Sequence, residues 1–96
     1  MPDTARNRFA ELVTQDMTAR GFHPVTIVHP IDQDAVVMMF SAEHLHWSGA
    51  YTVVAVIGSG LELMQNEERL AEFARARVAA AVKSWRDDRE RVAPDA

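Results

Sequence analysis

The sequence predicts one small α+β domain in which a helix, a three-stranded antiparallel sheet and a long C-terminal helix follow one another (α-β-β-β-α). Three observations predict it: helical apolar spacing early in the chain, three short β-branched runs in the middle, and a second helical pattern near the end. The 96 residues provide one domain's worth of chain. We place the domain at residues 3–90 and expect residues 91–96, which include Pro94, to form a frayed tail.

The first helix is predicted at about residues 4–20. Asp3 or Thr4 can cap it, and its apolar residues recur at helical spacing: Phe9, Leu12, Val13 and Met17. Gly21 suits the left-handed position that ends many helices, and Phe22 then lies where a Schellman motif makes its hydrophobic contact. The sequence therefore predicts both the start and the end of this helix.

Three strands are predicted at residues 25–29, 35–40 and 50–57, because these runs are rich in β-branched and apolar residues. The segment 30–34, with a proline and two aspartates, is typical of a turn. Ser48-Gly49 is a second turn signal between two strand-like runs.

The segment 61–64 allows two predictions, a short fourth strand or a turn of helix capped by Ser59. Asn66, followed by Glu67 and Glu68, indicates the start of the last helix, since a capping residue and two acids suit the positive end of the helix dipole. The apolar stripe of that helix has spacings of three and four: Leu70, Phe73, Ala74, Val78, Ala81, Val82 and Trp85.

The predicted strands are apolar on both faces, whereas a sheet with one covered face alternates apolar and polar residues. In the second strand, Val36 and Met38 share one face while Val37 and Met39 share the other. Either the two helices cover opposite faces, or both cover one face and a partner covers the second. Because exposed apolar patches of this size are rare on monomers, we expect another protein chain as partner, and a homodimer is the simplest form.

One polar cluster is a candidate partner-binding site. A two-residue hairpin turn at Ser48-Gly49 pairs Trp47 with Ala50, which places His46 opposite Tyr51 and His44 opposite Val53. The candidate partner-binding residues are His44, His46, Trp47 and Tyr51. Trp47 either packs on the hairpin or anchors an interface.

His44 and His46 also provide two imidazoles for a metal site, and a third ligand would have to come from His23, His29 or Glu43. In the predicted register Glu43 points to the opposite face. Two ligands fall short of the three or four that zinc sites use, so contact with a partner is the favoured interpretation. A pH-sensing role for the histidine pair is a further alternative.

The sequence contains no pattern that predicts catalysis or a cofactor. Gly58-Ser59-Gly60 precedes a helix but lacks the P-loop pattern, and Glu67 and Glu68 would repel a phosphate, so we interpret it as a strand-to-helix turn. No motif places a serine nucleophile beside a base. The absence of cysteine excludes disulfides, thiolate zinc sites and cysteine nucleophiles. We expect a protein that is not an enzyme and binds no cofactor.

Charge argues against nucleic acid. The predicted element order resembles that of double-stranded-RNA-binding domains, which use a lysine-rich start of the second helix to reach phosphates. Here that position is Asn66-Glu67-Glu68-Arg69, and the net charge is −4. Nucleic-acid binding is therefore disfavoured.

The sequence predicts neither a membrane span nor a signal peptide. Its longest apolar run, Ala35–Phe40, is too short for a membrane span, and Met1–Arg8 does not read as a signal peptide. We expect no membrane partner and a cytoplasmic location.

These observations together predict a small non-catalytic protein–protein interaction module. It would be a self-associating accessory or inhibitor protein of the kind that phages or mobile elements encode. Two alternatives stay open. One is a protein that binds a small ligand or metal through His44 and His46. The other is a nucleic-acid-binding module with the topology of a double-stranded-RNA-binding domain.

Overall fold

A computed structural model describes residues 2–43 and 49–91, without the side chains of residues 2, 3 and 89–91. It confirms the predicted α+β fold. The elements are α1 (Pro2–Ala19), β1 (Val25–Val28), β2 (Val36–Glu43), β3 (Ala50–Gly58), α2 (Gly60–Gln65), a 3₁₀ turn (Glu67–Arg69) and α3 (Leu70–Arg91). Arg91 ends α3, and the rest of the predicted tail lies outside the described residues.

The end of α1 is the predicted Schellman motif. Gly21 has a φ of 93°, a left-handed conformation that glycine adopts without steric cost. Its amide donates to the Thr18 carbonyl at 3.0 Å, and the Phe22 amide donates to the Met17 carbonyl at 2.9 Å. These bonds satisfy the last carbonyls of the helix and turn the chain toward β1.

The sheet has the order β1-β2-β3, and both neighbouring pairs are antiparallel. Val25 of β1 pairs with Phe40 of β2, and Phe40 in turn pairs with Val53 of β3. The register shifts between Val36 and Val37, so that Val36 pairs with Gly58 while Val37 pairs with Val56.

The predicted hairpin register is wrong. Ala50 pairs with Glu43 rather than with Trp47, and Val53 pairs with Phe40 rather than with His44. The pairing of Glu43 with Ala50 is incompatible with a two-residue turn at Ser48-Gly49. The observed register places the apolar Phe40, only 2% exposed, on the helix-covered face, where the predicted register would place a histidine opposite Val53.

A fourth strand at 61–64 is also a wrong prediction, because Gly60–Gln65 forms the helix α2. Its alternative, a helical turn capped by Ser59, is confirmed: the Ser59 hydroxyl accepts from the Glu62 amide at 3.2 Å. The Asp34 carboxylate adds a second cap, accepting from the amides of Gly60 at 2.7 Å and Leu61 at 3.3 Å. The local hydrogen bonds of the cap thus decide in favour of helix.

Asn66 precedes the last helical segment as predicted, but its side chain does not cap that segment. Its side-chain amide donates backward to the Glu62 carbonyl at 2.8 Å, which ends α2, and it makes no side-chain cap bond to the following turn. The 3₁₀ turn Glu67–Arg69 then leads into α3, so the two helices are continuous except for a tight turn.

Both long helices cover the same face of the sheet. The buried core joins residues of α1, α2 and α3 to the alternate residues of β2 and the end of β3: Phe9, Val13, Met17, Val36, Met38, Phe40, Ala42, Ile57, Leu63, Leu70, Ala74, Val78 and Val82. Of the two arrangements that the sequence allowed, the described residues have the one in which both long helices pack on one face and no helix covers the other.

Candidate protein-interaction surface

The face of the sheet that turns away from the helices carries a continuous apolar patch, which we call the open face: Val28, Val37, Met39, Val54 and Val56. The strand register places its members side by side, because Val37 pairs with both Val28 and Val56, and Met39 pairs with Val54. Val54 is 62% exposed and Val56 is 70% exposed. Among the described residues, no helix covers this patch.

The neighbours of the open face are polar. Thr26, Ser41, Glu43 and Thr52 are exposed on the same side of the sheet. An apolar centre with a polar margin is the usual anatomy of a protein–protein interface. Exposed β-branched residues that adjoin one another, rather than standing singly, are what distinguishes such a site from an ordinary surface.

Tyr51 lies on the other side of the sheet. It is half-buried and pairs with Ala42 on the helix-covered face, and its hydroxyl accepts a hydrogen bond from the Trp85 indole nitrogen at 2.7 Å. That bond ties β3 to α3. The structure therefore does not place Tyr51 on the open face, and its partner-binding role stays a prediction.

Trp85 is also part of an aromatic cluster with Phe22 and Phe40. The ring centroid of Phe22 lies 5.0 Å from that of Phe40 and 5.3 Å from that of Trp85, and both pairs are edge-to-face. Such pairs add about 0.5–1.5 kcal/mol each beyond the burial of their area. The cluster fixes the end of α1, the centre of β2 and α3 against one another.

The predicted cluster of His44, His46 and Trp47 lies outside the described residues. Its roles in partner binding and in metal binding stay predictions. Within the described ranges 2–43 and 49–91, no three His, Cys, Asp or Glu side chains are arranged to hold a metal ion.

A groove runs along the outer edge of β3, between that strand and α3. Its volume is about 330 Å³, and it is lined by residues of both elements: Val53–Ile57, Arg77, Ala80, Ala81, Ser84, Trp85 and Asp88. We call it the β3 groove. Arg77 at one end is held by the Glu62 carboxylate and lies 5.0 Å from the centre of the Phe73 ring.

Sequence reasoning missed the β3 groove, because it depends on where α3 crosses the sheet. One signal was available: the nine residues of β3 contain no charge and no proline, although an edge strand usually carries one or the other. The charges that line the groove, Arg77 and Asp88, look on the sequence like any others on a solvated helix.

None of the helices in the described part of the chain has the length and apolarity needed to cross a bilayer. Comparison with known proteins adds no further constraint: no protein-family model, no curated protein and no solved structure matches this chain.

Proposed function

We propose that this chain is a non-catalytic protein–protein interaction module whose open face binds another protein chain. The observation that carries the proposal is the one-sided covering of the sheet. Both long helices pack on the same face, while Val54 and Val56 remain 62% and 70% exposed on the other.

The physical reason is the free energy of apolar surface in water. Removing apolar surface from water contributes about 25 cal/mol per Å². The open face offers such surface already held in a rigid sheet, so binding costs little conformational entropy of the backbone. A flat apolar sheet face with a polar margin fits a protein surface better than it fits a small molecule, for which enclosed pockets are the usual sites.

The test is partner capture by the wild-type chain and by a Val54→Lys/Val56→Lys variant, using extract from the native host and mass spectrometry. Two lysines at these positions would have to be desolvated in the complex, so we expect the captured protein to be lost. Far-UV circular dichroism and the melting temperature should stay close to wild type, because both positions are exposed.

The matched control is Ala76→Lys/Ala79→Lys, which adds the same charge at exposed positions of α3. This control should capture the same protein as the wild type. Equal capture by both lysine variants would mean that the open face is not the binding surface.

A further inference from the structure

The two edges of the sheet are built differently. β1, at one edge, has only four residues, and it lies between Pro24 and Pro30, neither of which can donate a backbone hydrogen bond. Short length and flanking prolines are common means of preventing another strand from pairing with an edge. This edge is therefore protected.

β3, at the other edge, has nine residues and none of these protections. Its sequence is Ala-Tyr-Thr-Val-Val-Ala-Val-Ile-Gly, without a charge or a proline. In the described part of the chain, only β2 pairs with it, so over Ala50–Val56, where the register is unbroken, every second residue directs its amide and carbonyl outward. A long, uncharged edge strand is a template for a further strand.

The β3 groove leaves room for such a strand. Five residues of β3, Val53–Ile57, line one side over about 13 Å, given about 3.3 Å per strand residue. On α3, Arg77 to Asp88 line the other side over about 16 Å, given 1.5 Å per helix residue. The groove thus follows the outer edge of β3 over five of its nine residues.

The charges at the ends of the groove are opposite, with Arg77 at one end and Asp88 at the other. A twofold axis through the middle of the groove exchanges the two ends. It would bring Arg77 of one copy toward Asp88 of the other, twice in the pair. A guanidinium has five donors, so Arg77 can keep its bond to Glu62 and still contact a second carboxylate. Asp88 already makes an interaction within its own chain, and its carboxylate has enough acceptor sites to contact a guanidinium as well.

We propose that the β3 edge pairs antiparallel with the β3 edge of a second copy of this chain, which joins the two sheets into one of six strands. The side chains at the middle of the groove on α3 are short (Ala80, Ala81 and Ser84), which leaves space for two α3 helices to lie side by side. The inference goes beyond the proposed function, because it concerns the edge of the sheet. Its consequence is that two open faces form one continuous binding surface.

The test is the mass in solution, measured by sedimentation equilibrium over a range of concentrations. The wild-type chain is expected to approach twice the 10.7 kDa of one chain. Ala80→Arg places a long charged side chain in the groove and should raise the dimer dissociation constant at least tenfold. Asp88→Asn removes two symmetric ion pairs and should raise it about threefold, as expected for exposed pairs.

The matched control is Ala79→Arg, at an exposed α3 position that does not line the groove, and it should dimerise like the wild type. Ser84→Arg, also exposed and in the groove, provides a second test if Ala80→Arg loses helical circular dichroism. A monomeric wild type would overturn the inference, and so would groove variants that dimerise as tightly as Ala79→Arg.

Each of the two proposals can be overturned without overturning the other. A monomeric chain whose partner capture still depends on Val54 and Val56 would overturn the edge pairing and leave the proposed function standing. A dimer that depends on Ala80, with no capture that depends on the open face, would do the reverse.

Discussion

Met38 and Met39 are neighbours in β2 whose side chains meet opposite environments. Met38 is fully buried between the sheet and the helices, whereas Met39 lies on the open face and is half-buried. Because side chains alternate along a strand, one peptide bond separates the core from the candidate interface. Substituting each methionine in turn therefore tests whether the helices cover only one face of the sheet.

Met38→Ala should lower the free energy of unfolding by about 2–5 kcal/mol, since it removes a buried side chain and leaves a cavity. Met39→Ala should cost less than about 1 kcal/mol, because less of its area is buried. The measurement is urea denaturation at protein concentrations low enough to keep the chain dissociated. Equal losses for the two variants would show that both faces are covered.

At the scale of the elements, α2 depends on a residue far from it in sequence. Asp34, in the turn before β2, accepts hydrogen bonds from the first two amides of α2 and lies 3.5 Å from the Arg6 guanidinium. Gly60 has no Cβ, and a Cβ there would overlap the Asp34 carboxylate. The carboxylate thus links α1, the turn and α2.

Asp34→Ala should therefore lower the free energy of unfolding by about 1–2 kcal/mol, the usual cost of losing a helix cap. The control is Asp32→Ala, an exposed residue of the same turn, which should change the free energy by less than about 0.5 kcal/mol. Chemical denaturation of both variants measures the difference. Similar values would mean that the cap does not stabilise α2.

Most elements were predictable because their signals are local. The Gly21–Phe22 ending of α1, the β-branched strands and the stripe of α3 depend on residues close in sequence. The register of β2 with β3 was not, because the Ser48-Gly49 signal suggested a short turn, whereas burial of Phe40 against Val53 sets the pairing. The side-chain cap by Asn66 was wrong because its amide donates to α2 instead, and the last helical segment begins after it as a 3₁₀ turn.

The candidate surface was predictable in part. The lack of apolar–polar alternation along β2 and β3 indicated two apolar faces, and among the described residues one of these faces has no helix over it. It did not indicate which of the two arrangements of helices the chain adopts. The β3 groove was not predictable, because Arg77 and Asp88 line the same groove only through the packing of α3 against β3.

In the whole domain, the helices cover one face of the sheet, whereas the other face is exposed among the described residues. One face of the sheet and one of its edges are covered or protected, by the helices and by Pro24 and Pro30. The second face carries exposed apolar side chains, and in the part of the chain that the structure describes only β2 pairs with β3. In both proposals another chain covers these surfaces, and at the β3 edge that chain is a second copy.

Amide hydrogen exchange along β3, followed residue by residue by NMR at low and high protein concentration, tests whether the β3 edges of two copies pair. At low concentration the amides of β3 should alternate between slow and fast exchange, because only every second one bonds to β2. At high concentration the fast amides of Val53–Ile57 should become protected, and in Ala80→Arg they should stay fast. Fast exchange of these alternate amides in the wild type at every concentration would show that the β3 edges of two copies do not pair.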